Sequence, residues 1–134
     1  MKKQVLEFPV GTYNGEVKNN LPHGKGVMNF KNGDKYAGSF LKGLRHGKGK
    51  DQFHTGDKYV GNYKNGYPHG QGTYTWLNRD KYIGNHSEGF KSGKGKEILH
   101  NGESYVGNFK LNEREGKGTC NYINGDKYIG EFIG

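Results

Sequence analysis

"DKYVGNYKNGYPHGQG", residues 57–72, decides the fold. A tyrosine at 59 stands two residues before a bare glycine at 61, and Gly70-Gln71-Gly72 follows. The stretch has no helical spacing of apolar residues and carries too much glycine for an ordinary strand, because glycine loses more backbone freedom on folding than any other residue. A chain that spends glycine this freely either repeats one backbone geometry or stays disordered.

The whole chain favours repetition. Tyr13, Tyr36, Tyr59, Tyr82, Tyr105 and Tyr128 recur every 23 residues without insertion, and Gly15, Gly38, Gly61, Gly84, Gly107 and Gly130 follow each of them by two. Gly-x-Gly recurs in phase at 24/26, 47/49, 70/72, 93/95 and 116/118. Self-similarity at a fixed period is the mark of an array of stacked units. The aromatic content of 13% argues against disorder, since disordered chains are poor in aromatic residues. At 134 residues, 30% hydrophobic, with 25 glycines, the chain has length for one domain but little apolar mass for a thick two-layer core.

With each repeat counted from its tyrosine as position 1, two turns stand out. Position 8 reads Asn20, Gly43, Gly66, Gly89 and Asn112, and position 21 reads Gly33, Gly56, Arg79, Gly102 and Gly125. Glycine and asparagine are the residues that accept a left-handed backbone. Each 23-residue repeat is therefore expected to be a β-hairpin, joined to the next by another tight turn. Parity then sets the faces. Side chains alternate with period two, and 23 is odd, so one loop per repeat must hold an odd number of residues. A three-residue loop at positions 19–21 supplies it. Tyrosine, glycine and the aromatic of position 5 then share one face with positions 12, 14, 16 and 18, while the position-13 residues Lys25, Lys48, Gln71, Lys94 and Lys117 take the other. In a single layer the tyrosine rings can lie flat over glycine backbone on the neighbouring strand; Tyr59 is expected to lie across Gly70 and Gly72.

The expected fold is thus all-β: an elongated single-layer antiparallel β-meander of about eleven strands and no helix, roughly 50 Å long. Residues 1–12 read as an N-terminal cap segment and 13–134 as the array, with repeats at 13–35, 36–58, 59–81, 82–104 and 105–127 and a partial one at 128–134.

The motif Tyr-x-Gly-x-aromatic-x-x-Gly-x-x-His-Gly-x-Gly, seen best in "YVGNYKNGYPHGQGTYTW" (59–76) and "YAGSFLKGLRHGKGKDQF" (36–53), resembles the MORN (membrane occupation and recognition nexus) repeat. The resemblance implies an interaction or targeting module, as in the phosphoinositide kinases, junction proteins and cytoskeletal scaffolds that carry such repeats. It departs from the pattern at Val17 and His86, which replace the aromatic, and at Ser92 and Glu115, which replace the histidine.

Three chemistries suggest themselves. His23, His46 and His69 recur at position 11, but equivalent positions lie about 10 Å apart, and zinc ligands sit near 2 Å from one ion; a role in the turns is expected and no metal. Lys25, Lys48, Lys50, Lys94, Lys96 and Lys117 form a cationic ladder, which with a net charge of +8 suits an anionic membrane surface. Tyr36, Phe40, Tyr59, Tyr63, Trp76 and Tyr82 would line a concave aromatic trough over repeats 2 to 4 and anchor a protein partner. Nucleic acid is disfavoured, because aromatics and lysines fall on opposite faces. No nucleophile–base set, phosphate loop or cysteine–histidine metal spacing is present. The expectation is a non-catalytic scaffold or adaptor for a protein partner, without cofactor. The alternatives are a membrane-targeting module for anionic phospholipid, or a targeting region of a larger enzyme such as a phosphoinositide kinase. Edge-to-edge homo-oligomers are open to such a sheet. The single cysteine, Cys120, and the lack of a visible signal peptide or long apolar run point to a cytoplasmic setting, with membrane or cytoskeletal association.

Overall fold

A computed structural model describes residues 2–133. They contain no helix. Twelve strands form one antiparallel sheet in which sequence order is spatial order: β1 (Lys3–Phe8), β2 (Gly11–Lys18), β3 (Leu21–Phe30), β4 (Lys35–Leu41), β5 (Leu44–Gln52), β6 (Lys58–Lys64), β7 (Tyr67–Thr75), β8 (Lys81–Ser87), β9 (Phe90–Ile98), β10 (Ser104–Lys110), β11 (Glu113–Asn121) and β12 (Lys127–Phe132). The expected eleven become twelve because part of the 1–12 segment is itself a strand: β1 pairs along β2 from Lys3↔Glu16 to Phe8↔Gly11.

Both turns form where the residue types placed them. In the first repeat Gly33 closes a three-residue loop with φ 99°, and Phe30 and Asp34 bond across its base at 2.9 Å. The other turn is a two-residue reversal with both residues left-handed, as in Lys42 (φ 50°) and Gly43 (φ 85°), the backbone that suits the twist of a hairpin. Position 7 is thus left-handed as well as position 8, even at Glu88 and Leu111, where composition carries no hint of it. Pairing confirms the faces: Tyr105 lies opposite Glu97 and Asn108 opposite Lys94, so Tyr105 and Lys94 point to opposite sides.

A third irregularity escapes the sequence. After Gly38↔Gly49 the next pair is Phe40↔Arg45, so β5 bulges by two residues around Gly47, whose φ is 81°. The bulge explains the tyrosine. Its hydroxyl donates to the position-4 carbonyl beside the bulge: Tyr36 to Ser39 at 2.8 Å, Tyr59 to Asn62 at 3.0 Å and Tyr82 to Asn85 at 2.7 Å. To reach it the ring lies flat over the glycine of its own strand and the second glycine of Gly-x-Gly. A Cβ on Gly72 would collide with the Tyr59 ring, whereas one on Gly70 would meet only Asn62 at 3.9 Å. The ring therefore covers Gly61 and Gly72, not Gly70, which serves the left-handed bulge.

The core of a single-layer sheet is then its own aromatic face. From Tyr13 to Tyr128, position-1 and position-5 rings alternate edge to face: Tyr13, Phe40, Tyr36, Tyr63, Tyr59, His86, Tyr82, Phe109, Tyr105, Phe132, Tyr128. Centroids are 4.8–5.3 Å apart and planes 81–90° apart, the geometry that the ring quadrupole favours.

Candidate partner-binding trough and basic face

Five of the six residues expected to line the trough belong to this herringbone. Tyr36, Phe40, Tyr59, Tyr63 and Tyr82 are 0–6% exposed, while Trp76 is half-buried. They form the floor, and position 5 is as deeply placed as position 1, because each position-5 ring sits between two tyrosines. Burial pushes the Tyr59 and Tyr82 hydroxyls up to about 12; at Tyr36 burial, reinforced by Asp51, does the same. These hydroxyls therefore remain protonated donors.

What stands partly open above the floor comes from position 18, at or just past the ends of the odd-numbered strands, and from Arg45, Pro68, Lys91 and Arg114 at position 10 and Tyr74 and Glu97 at position 16. Phe30, Phe53, Trp76 and Leu99 are half-exposed at position 18. Phe8 and Val10, at the three-residue-loop edge, line one apolar cleft of about 340 Å³ together with Leu21, Gly43 and Leu44, at the two-residue-turn edge. Residues from both ends of the strands thus border one cleft on the aromatic side. The cleft lies over repeats 1 and 2, nearer the N-terminus than the expected repeats 2 to 4. A second cleft of about 330 Å³ follows over Pro68, Tyr74, Trp76 and His86.

Each cleft carries one cation that sequence reasoning passed over. Arg45 reaches Asp51 at 2.8 Å and lies over the Phe30 and Tyr36 rings; Asp51 also accepts from the Tyr63 hydroxyl. Lys91 reaches Glu97 at 3.0 Å and lies 4.8 Å from the Trp76 ring centre. Arg114 meets Glu97 from the other side at 2.9 Å. The signal was available: position 10 reads Pro22, Arg45, Pro68, Lys91, Arg114 and position 16 reads Met28, Asp51, Tyr74, Glu97, Cys120, so both carboxylates coincide with a cation six residues earlier. His86 sits among these groups, 4% exposed, its Nδ1 without a hydrogen-bond partner; burial, aided by the Lys91 charge, lowers its pKa.

The six candidate lysines, Lys25, Lys48, Lys50, Lys94, Lys96 and Lys117, are all exposed on the other face. Lys117 stands opposite Glu131, the others opposite neutral residues such as Asn62 and Asn108. From β4 to β10 the only carboxylates within strands are Asp51 and Glu97, both on the aromatic face, so the lysine face there is purely cationic. None of the six forms an ion pair among the described residues.

Acidic residues gather instead at the loop edge. The position-22 carboxylate of one repeat accepts the backbone N–H of position 19 in the next: Asp34 from His54 at 2.7 Å, Asp57 from Leu77 at 3.0 Å and Asp80 from His100 at 2.8 Å. At the turn edge Gly43 donates to Pro22 and Gly66 to Arg45. Both rims are thereby tied from repeat to repeat. Of the position-11 histidines, His23 accepts from the Lys42 turn N–H at 3.3 Å, while His46 keeps a buried Nδ1 without a partner. No cluster of three metal-ligating side chains exists among the described residues.

The fold and its two faces define an open repeat protein, a one-dimensional stack of hairpins whose core is one herringbone of rings. The family model described as MORN repeat matches residues 13–35, 36–58, 59–81, 82–104 and 105–127. The chain belongs to the MORN-repeat family. No curated protein matches it.

Proposed function

We propose that this chain is a non-catalytic scaffold or adaptor that holds a protein partner in the trough of its aromatic face, in the cytoplasm at a membrane or cytoskeletal site. The observation that carries this reading is the apolar cleft of about 340 Å³ between the two rims, open beside a floor that is already sealed. Half-exposed aromatics on a rigid frame are the usual anchors of an interface. A partner segment would complete a core that the single layer leaves wet along Phe30, Phe53 and Trp76.

Affinity capture with the immobilised chain, followed by binding measurements on the recovered partner, tests it. Phe30→Ser with Trp76→Ser should abolish binding, and Lys48→Gln with Lys94→Gln should leave it. The reverse outcome overturns the reading.

The segregation of charge favours a second reading, attraction of the lysine face to anionic phospholipid. Each lysine near such a surface contributes about 1 kcal/mol, so binding to phosphatidylserine vesicles should be measurable at low salt and vanish at high salt. The resemblance also suggests a targeting role beside an enzyme such as a phosphoinositide kinase. A second copy pairing at a sheet edge would show as concentration-dependent mass in sedimentation.

A further inference from the structure

The two clefts are built alike, and the likeness states what kind of segment the trough accepts. Arg45 and Asp51 in β5 recur two repeats later as Lys91 and Glu97 in β9. In each pair the carboxylate holds the cation from behind, at 2.8 and 3.0 Å, and aromatic rings support it. The cations are thereby fixed in place but not saturated. A guanidinium has five donors and an ammonium three. Arg45 uses one on Asp51, and its Nε is buried without a partner. Arg45 is the one charged group lining the first cleft, and Lys91, beside the buried neutral His86, the one lining the second. Each cleft thus offers an apolar seat with a positive stop beside it.

Four strand spacings separate β5 from β9, about 19 Å. A single acyl chain with one carboxylate would use one seat. Two seats in line, each with its own cation, match a polypeptide. We propose that the trough binds a partner segment that presents two apolar side chains, each next to a carboxylate, about 19 Å apart: the first in the Phe8–Leu44 cleft with its acid on Arg45, the second against Trp76 with its acid on Lys91. This rests on the scaffold reading and names its partner's chemistry. The pairs would stand about six residues apart in an extended segment and about thirteen apart in a helix.

Fluorescence anisotropy with synthetic probes tests it. The probes are Ala/Gln-based peptides carrying two Leu-Glu pairs six or thirteen residues apart, the same peptides with Leu-Lys pairs, peptides with one Leu-Glu pair, and sodium laurate as a free fatty acid. One two-pair Leu-Glu probe should bind, with the Leu-Lys version weaker by about tenfold or more per charge reversed and the one-pair peptide weaker than the two-pair one. Arg45→Gln and Lys91→Gln should each weaken binding by about tenfold. Because Arg45→Gln disturbs Asp51, its melting curve is taken alongside; the peptide-side reversal leaves the protein untouched and decides independently. Equal binding of Leu-Glu and Leu-Lys probes overturns the proposal, as does no binding of either two-pair probe at about 1 mM, or competition by laurate for a single seat. If the captured partner still depends on Phe30 and Trp76 while probe charge has no effect, the scaffold reading stands and this inference alone falls.

Discussion

Replacing Phe40 by alanine tests whether position 5 is floor or handle. The ring is 6% exposed, with its centroid 5.1 Å from Tyr13 and 5.0 Å from Tyr36, edge to face with both. Removing a buried phenylalanine side chain costs about 3–5 kcal/mol, and two lost aromatic pairs argue for the upper half of that range. Against this, the layer is one residue deep, so water and the rings of Tyr13 and Tyr36 can enter the gap. About 3 kcal/mol is the expected net loss, or a drop of about 10 °C in melting temperature for a chain of this length. Urea titration followed by tyrosine fluorescence, beside thermal melts by circular dichroism, gives the number. The loss should fall first on repeats 1 and 2, because each unit of a linear array is stabilised by its neighbours; hydrogen exchange should show early opening of β2 to β5. Trp76→Ala, at a half-buried position, should cost less than Phe40→Ala. A loss below about 1 kcal/mol for Phe40→Ala, the range of surface substitutions, would refute the herringbone as the core.

Tyr59→Phe keeps the ring but leaves the Asn62 carbonyl without its 3.0 Å donor, and should cost about 1–3 kcal/mol by urea titration. Gly72→Ala forces a methyl into the Tyr59 ring and should unfold the third repeat, whereas Gly102→Ala, left-handed at φ 97° with nothing within 4 Å, should cost only the backbone strain of about 1–2 kcal/mol; the melting temperatures of the pair decide. His86 is buried neutral with a pKa below the unfolded value of 6.5, so the unfolded chain takes up its proton first. Stability is full above about pH 6.5 and falls as the pH drops toward the folded pKa, by at most about 1.4 kcal/mol per unit; His86→Phe should remove that slope.

The period, the two turns and the separation of faces were legible because each is enforced by a residue type at a fixed phase. Position 21 is left-handed and carries glycine, which takes that backbone without strain, in four of five repeats, with Arg79 at φ 76° in the other, and an odd repeat admits few loop parities. The bulge was not legible. Gly47 and Gly49 look alike in the sequence, yet one has φ 81° and makes the bulge while the other lies bare under the Tyr36 ring. Only the register, Gly38↔Gly49 followed by Phe40↔Arg45, tells them apart. For the same reason Phe40 and Tyr63 read as trough-lining side chains: a sequence shows which face a ring takes but not how deep neighbouring rings bury it.

Why each repeat of this chain carries tyrosine at position 1 while phenylalanine, tyrosine and histidine serve at position 5 of repeats 2 to 5 follows from this geometry. The position-1 hydroxyl has a fixed task, the carbonyl three residues on, at 2.6–3.0 Å wherever the distance is measured from Tyr13 to Tyr128. Position 5 needs only a flat ring between two tyrosines, and its polar atoms are free for other work. Tyr63 uses its hydroxyl on Asp51, the carboxylate that holds Arg45 in the first cleft. His86 places an imidazole across from Lys91 at the second cleft. The two departures from a plain hydrocarbon ring at position 5 within the middle of the array therefore stand beside the two cations of the trough. The floor is where the repeat is uniform; the chemistry that distinguishes this chain enters at positions 5, 10 and 16, the three places where the herringbone tolerates a change of residue.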